Sequence, residues 1–375
     1  MLAYIRLIVI RPLLLLFSLE KMESRPTPPS QRLPRTSPSR LQSASKPASA
    51  EADPSLSQTL STKPASVQQA ETVLYLAYGS NLSTETFRGY RGITPLSQIN
   101  VYVPDLRLTF DLAAVPYLEP CFAGTQYRTD QQNPNTAYTD EKTPLSEAHL
   151  LDSSDIEKTP LVNPPPYGGT DYHKNRWHKP LIGVVYEVSL KDYAHIIATE
   201  GGGSGYKDIV VTCHPFAADY NPSHPTPTHP STTPFMAHTL LSPWTPDGAH
   251  GDDPHIRPDP AYAQPSARYL KLIMDGAAEL DLPEDYRAYL AGIRPYQVTT
   301  WRQMVGRALF LGTWGLLTLF VMVLARWLAD EKGIMPPWVA RLQRRCLRGM
   351  WKSYDVSFRR VFGDGERTIG DVSGI

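Results

Sequence analysis

The chain has 375 residues, with 37 Lys and Arg against 37 Asp and Glu, so its formal net charge is zero. That balance gives no electrostatic case for a nucleic-acid partner, and the length suits one good-sized domain with additions. Three scattered cysteines, Cys121, Cys213 and Cys346, make neither a disulfide framework nor a zinc pattern, and 36 prolines gathered outside the apolar segments point to long unstructured stretches.

Residues 1–22 read either as a targeting segment or as an over-extended gene start with Met22 as initiator. The Leu13–Leu19 run is too short to span a bilayer, and no small-residue cleavage site follows it. Residues 23–70 are rich in Ser, Pro, Thr and Ala and nearly free of large apolar side chains, which predicts a disordered linker. The pattern changes at Val73, and a domain is expected over 71–300. Val73–Ala77 reads as a strand running into a Gly/Ser/Asn turn, after which Ser83 or Thr84 caps a short helix with Glu85 in its first turn. Ile99–Phe110 reads as a strand broken at Pro104, and Cys121–Tyr127 as a further short strand. Residues 129–180 are polar and proline-rich and are expected to be an insertion loop. Leu181–Val188 and Asp208–Cys213 are strand-like. A second insertion is expected over 216–263, carrying one strand at Ala237–Leu241. Gln264–Tyr296 reads as helix in two pieces, split near Asp281-Leu282-Pro283.

The uncharged apolar run 308–325, bracketed by Arg307 and Arg326, predicts a single transmembrane helix over 306–328 and hence a membrane protein; the alternative is a buried core helix. The tail, 329–375, contains a basic amphipathic stretch from Val339 to Phe362. It suits a helix on an anionic membrane surface or, alternatively, one packed on the protein itself.

Two segments carry chemistry. The turn Tyr78-Gly79-Ser80-Asn81 leaves a strand and can aim backbone N–H groups at an anion. Downstream, Ser189 caps a predicted helix over Leu190–Thr199, so Glu200 sits at its C-terminal end, before Gly201. The negative end of the helix disfavours a carboxylate there and pushes its pKa up toward general-base range; the other reading is an exposed Glu tolerated at about 0.5 kcal/mol. Six histidines between His214 and His255 lie in Pro-rich loops without ligand spacing, so neither a metal nor another cofactor is expected.

Tyr75-Leu76-Ala77-Tyr78-Gly79-Ser80-Asn81-Leu82 resembles the signature loop of the γ-glutamylcyclotransferase family. Gly183-Val184-Val185-Tyr186, Thr199-Glu200-Gly201 and Gly205-Tyr206 resemble its second signature, and the segment from Pro265 to Ile293, with Tyr269 in its first turn, resembles its C-terminal helical part. The resemblance covers roughly 72–296, leaving the insertions, the apolar run and both tails as additions. It implies an α+β fold, a small mixed β-barrel with flanking helices. It implies a lyase that releases 5-oxoproline and a free amine from a small γ-glutamyl compound. By the same resemblance, Glu200 is the catalytic base, and Tyr78, Gly79, Ser80, Asn81, Tyr206 and Tyr269 bind substrate. Glutathione, γ-glutamyl amino acids and γ-glutamyl amines share the same head group, and the choice among them stays open. The alternative is a catalytically inactive, membrane-tethered ligand-binding module on the same fold.

Overall fold

Short runs of β-branched and aromatic residues punctuated by Gly, Pro and Asp favour strands. Among the described residues seven form: β1 (Thr72–Ala77), β2 (Ser97–Val103), β3 (Leu106–Val115), β4 (Glu119–Tyr127), β5 (Leu181–Ser189), β6 (Lys207–Pro215) and β7 (Phe235–Leu241). The computed structural model describes residues 33–45, 71–128, 177, 179–199, 207–227, 229, 231–242, 256–259, 262–328 and 335–369. The 1–22 segment, Glu200, Tyr206 and nearly all of the 129–180 insertion lie outside the described residues.

Five strands close a barrel in the order β1-β5-β2-β6-β7, and β3 and β4 form a separate hairpin. The barrel pairs are antiparallel except at the β1–β7 seam, which is parallel with the one registered pair Tyr75–His238. There the Thr239 hydroxyl donates to the Leu76 carbonyl at 3.1 Å. The break expected at Pro104 falls between β2 and β3, since proline cannot donate to a ladder. At the tip of the β3–β4 hairpin Tyr117 adopts φ 64°, a left-handed conformation unusual for a bulky residue.

The 23–70 linker expectation needs correcting at 33–45. Ser37 caps α1 (Pro38–Ser43) by accepting from the Arg40 N–H. Arg35 bridges to Gln98 on β2, Arg40 donates to Glu187 on β5 at 3.1 Å and to the Thr72 carbonyl at 3.2 Å, and the Met236 N–H on β7 donates to the Ala44 carbonyl at 2.9 Å. The segment thus straps one end of the barrel, where β1, β2 and β7 begin and β5 ends. Its anchors are backbone and guanidinium hydrogen bonds, and α1 buries no residue, so the composition carries no apolar signal for it.

α2 (Leu190–Thr199) packs on β1 and β5, and the Ser189 hydroxyl accepts from the Asp192 N–H at 3.1 Å, as the capping pattern predicts. α3 (Ala267–Glu279) and α4 (Glu284–Ala291) are the two expected pieces, divided where Asp281 takes φ 49°. The second insertion is partly tied down: the Thr226 hydroxyl donates to Asp285 at 2.7 Å, and the Ser223 hydroxyl to Glu284 at 2.9 Å.

Beyond the barrel, Thr300 and Gln303 form a capping box at the start of α5 (Trp301–Phe310). α5 continues through a wide turn, Leu311–Gly315, into α6 (Leu316–Leu328). Trp301–Ala325 is the one helix among the described residues long and apolar enough to cross a membrane. After residues 329–334 come α7 (Pro337–Ser353), a wide turn at Tyr354–Phe358 and α8 (Arg359–Phe362). The basic helix packs on the apolar one: Thr318 Oγ1 lies 3.8 Å from Cys346 Sγ, and the Phe310 and Phe358 rings are 5.0 Å apart. One face of the tail helix thus packs on the protein, which leaves Arg341, Arg344, Arg345, Arg348 and Lys352 exposed. Tyr117 joins this hairpin to the barrel, its N–H donating to the Gly365 carbonyl and its hydroxyl to the Gly363 carbonyl, both at 2.8 Å.

Candidate active site

The site is built at the barrel end opposite the 33–45 strap, where β1 runs out. The chain leaves Ala77 through Tyr78 and Gly79 into a 3-10 turn, Ser80–Leu82. Tyr75, Tyr78, Gly79, Ser80 and Asn81 line a cleft together with Ala123 of β4, Leu240 of β7 and Tyr269 of α3. Five of the predicted residues, Tyr78 to Asn81 and Tyr269, are therefore brought together from two segments far apart in sequence.

Tyr78, Asn81 and Tyr269 are each held by an identifiable contact. The Tyr78 hydroxyl donates to the Leu240 carbonyl at 2.5 Å, which pins the start of the turn to β7. The buried Asn81 amide donates to the Tyr75 hydroxyl at 2.9 Å. Tyr75 in turn packs against Phe87 and Tyr193, with ring centroids 6.1 and 6.0 Å away. Tyr193 reaches from α2 to Asp208 at 2.8 Å, and His238 contacts the same carboxylate at 3.2 Å, so α2, β6 and β7 share one anchor beneath the turn.

Tyr269 is placed by the start of α3. The Ser266 hydroxyl caps the helix by accepting from the Tyr269 N–H at 3.0 Å. Glu119 on β4 accepts from the Ser266 N–H at 3.2 Å and from Arg268 at 2.7 Å. Burial raises the Glu119 carboxyl above the usual carboxylate range, and the Arg268 charge offsets only part of that. With the helix start fixed, the Tyr269 hydroxyl accepts from the Ala123 N–H at 3.1 Å. Farther along α3, a Cβ on Gly276 would lie 2.5 Å from the Ser83 nitrogen, so glycine is what lets the helix close on the turn.

A glycine between a strand and a turn often marks a positive φ or a close backbone approach, but Gly79 has φ −108°, and a Cβ there would meet the Tyr269 hydroxyl at 3.4 Å and the Ala123 Cβ at 3.5 Å. These are ordinary contact distances. The glycine keeps space open in the cleft rather than relieving backbone strain.

Glu200 and Tyr206 fall outside the described residues, between Thr199, which ends α2, and Lys207, which begins β6. The Thr199 hydroxyl receives a hydrogen bond from Arg91, just after the Glu85–Tyr90 helical turn that follows Asn81. Tyr75, Ala123 and Leu240 are cleft residues the sequence reading missed. Tyr75 stands three residues before the signature turn, inside the same quoted motif, whereas β4 and β7 carry no local signal of their nearness. Among the described residues no group of three or more His, Cys, Asp or Glu is placed to hold a metal.

A family model described as the AclK C-terminal domain matches residues 300–361, which span α5 to α8. The C-terminal hairpin, read from the sequence as an addition, thus corresponds to a family domain of its own. Among solved structures, a Gamma-glutamyl cyclotransferase aligns with TM-score 0.36 and 18% identity over 64% of this chain and 99% of that chain. Gamma-glutamyl cyclotransferase gliK of Aspergillus fumigatus is 28% identical over 297 residues, covering 78% of this chain and 89% of that protein. Gamma-glutamyl cyclotransferase aclK of Aspergillus oryzae is 31% identical over 302 residues, 78% of this chain and 90% of that protein. At that identity and coverage, this chain belongs to the γ-glutamyl cyclotransferase family.

Proposed function

We propose that the chain converts a small γ-glutamyl compound to 5-oxoproline and a free amine or amino acid, with Glu200 as the proton-transfer group. The α-amine of the glutamyl head must attack its own γ-carbonyl, and at neutral pH it arrives as an ammonium. A carboxylate within hydrogen-bond reach removes one ammonium proton so that the amine can attack, hands it to the leaving nitrogen, and then takes the second proton from the ring nitrogen, which the released amine picks up as ammonium. The C–N bond of the five-membered ring forms as the γ-amide C–N bond breaks, so atoms balance without a cofactor or a covalent enzyme intermediate. Because the glutamyl chain must fold back on itself, positioning contributes as much as basicity.

In this reading the backbone N–H groups of Gly79, Ser80 and Asn81 hold the substrate α-carboxylate. Tyr269, and Tyr206 beyond the described residues, wall the glutamyl head. The supporting observation is the shared cleft: the signature turn and Tyr269, which are 190 residues apart, meet within contact distance across Gly79. The apolar helix adds a location, with the enzyme held at a membrane through 306–328 and the basic residues that follow.

The test is release of 5-oxoproline by the purified full chain from glutathione, γ-glutamyl amino acids and γ-glutamyl amines. Turnover of one class, lost in Glu200→Gln, supports the reading. A folded protein that binds these compounds and turns over none of them is the ligand-binding module instead.

A further inference from the structure

Among the described residues the apolar helix is covered on one side only. Leu309, Leu316, Leu317, Phe320 and Trp327 are all at least 45% exposed and recur at helical spacing. Only 28% of the most apolar stretch is buried against the protein. A large exposed apolar stripe on a rigid helix marks an interaction surface.

Alongside it lie α7 and α8, which run antiparallel to it along its length. Gly306 meets Phe362, Phe310 meets Phe358 and Tyr354, Gly349 meets Trp314, and Cys346 meets Thr318. That partner carries Arg341, Arg344, Arg345, Arg348, Lys352, Arg359 and Arg360 against the single acid Asp355. Asp355 is itself taken up by Arg257 in a two-point contact at 2.6 and 2.9 Å. A helix crossing the bilayer in this arrangement would bring those cations into hydrocarbon, where they are strongly disfavoured. It would also bring Tyr117, whose ring lies 5.7 Å from that of Phe310, and with it the tip of the β3–β4 hairpin.

We propose that the C-terminal hairpin docks the enzyme flat on an anionic membrane. The α5–α6 stripe sits in the interface, and the basic residues of α7 and α8 meet lipid head groups, with no segment crossing. Burial of the stripe supplies the hydrophobic part of binding, and the exposed Arg344, Arg345, Lys352 and Arg360 supply the selectivity for negative charge. Exposed Trp301, Trp327 and Trp338 suit the head-group level, where indole rings partition.

The first experiment is flotation of the full chain with vesicles of phosphatidylcholine alone or mixed with phosphatidylserine. Binding is expected to be at least ~10-fold stronger on the anionic vesicles. It should fall by ~10-fold or more in the Leu317→Asp/Phe320→Asp variant and in the Arg344→Glu/Arg345→Glu variant. All four side chains are exposed, so melting temperatures should stay near that of the parent. Equal binding to both vesicles, or self-association through the stripe with no vesicle binding, overturns the proposal. The second experiment places single reporter cysteines at Tyr90→Cys on the barrel and at Arg341→Cys near the far end of the hairpin, both exposed positions, and labels sealed membranes with an impermeant maleimide. Labelling of both from one side is expected; protection of one of the two means that the helix crosses, and overturns the in-plane arrangement. Neither readout needs turnover, so failure here leaves the cyclotransferase reading intact, and the reverse also holds.

Discussion

The barrel and the C-terminal hairpin are held together by different forces. The barrel core is aliphatic and aromatic throughout, from Val73 to Ile293, on strands whose backbone groups pair with one another. The hairpin has a small cluster of its own, Ala113, Tyr117, Phe310, Met350, Trp351 and Tyr354, in which two members come from the β3–β4 hairpin. Its remaining ties to the barrel are polar: Arg257 to Glu366 at 3.0 Å, Thr368 N–H to Gln264 at 2.7 Å, and the Gln264 N–H to the Glu366 carbonyl at 2.9 Å. A closed barrel with its own core can hold a reaction geometry unaided, whereas an appended hairpin with one apolar contact point can be lost without disturbing the cleft. That difference separates the candidate site from the hairpin proposed to attach it.

The sharpest way to break the comparison is at Tyr117. Glycine at this position tolerates φ 64° without strain, so Tyr117→Gly leaves the turn intact and removes only the ring and its hydroxyl bond to Gly363. Loss of a buried aromatic costs about 3 kcal/mol or more, and that loss should appear as hydrogen exchange and proteolysis across 300–369. Turnover of a soluble γ-glutamyl substrate should stay near the parent value. A parallel loss of activity would mean that the two regions are not independent. Glu200→Gln tests the other side. It keeps size and hydrogen bonding and removes the base, so kcat should drop by ~10²-fold or more with no change in melting temperature. Near-parental turnover in this variant would remove Glu200 from the mechanism.

The two regions were also unequally legible. The strands were readable because each is a short β-branched run bounded by turn residues; Leu181–Val188, for instance, is β5 less its last residue. The signature turn and Tyr269 were legible through their resemblance to the family's motifs, and they do meet in one cleft. The 33–45 strap was not, because its anchors are Arg40 and backbone groups, and a Ser/Pro-rich composition hides both. Nor was the meeting of Ala123 and Leu240 across the cleft, which depends on how the β3–β4 hairpin and β7 close around β1. In the C-terminal region the apolar run was plain, but what covers it was not. A helix of period 3.6 buries one face in either setting, and the sequence alone does not say which neighbour does the covering.

Gly79 sharpens the barrel side of the comparison. Its φ is negative and its surroundings are at contact distance, so Gly79→Ala should leave both stability and KM near parental values. Gly79→Val places two methyl groups toward Tyr269 and Ala123, in the space assigned to the glutamyl head. KM should rise by ~10-fold with melting changed little, because the lost contact is one made before and during reaction alike. A lowered melting temperature with normal KM would make Gly79 a turn residue only.

The smallest expected effect concerns Glu119, which joins β4 to the start of α3. Its folded pKa is raised, chiefly by burial, with Arg268 pulling the other way. A carboxyl whose pKa is higher in the folded state contributes stability that is fully present below its unfolded value and is lost as pH rises through the folded one. Glu119→Gln keeps an acceptor for the Ser266 N–H and has nothing to ionise. The variant should therefore be less stable than or equal to the parent at the acid end, below the ordinary glutamate range, and should gain on it as pH rises to neutrality. The gain should appear as a rise in the variant's Tm relative to the parent's across that range. Tm measured for both proteins at matched pH values checks the sign. If the gap instead widens in favour of the parent toward neutral pH, the Arg268 ion pair outweighs burial. The start of α3, and with it Tyr269, would then be held by charge rather than by the neutral hydrogen bond to Ser266.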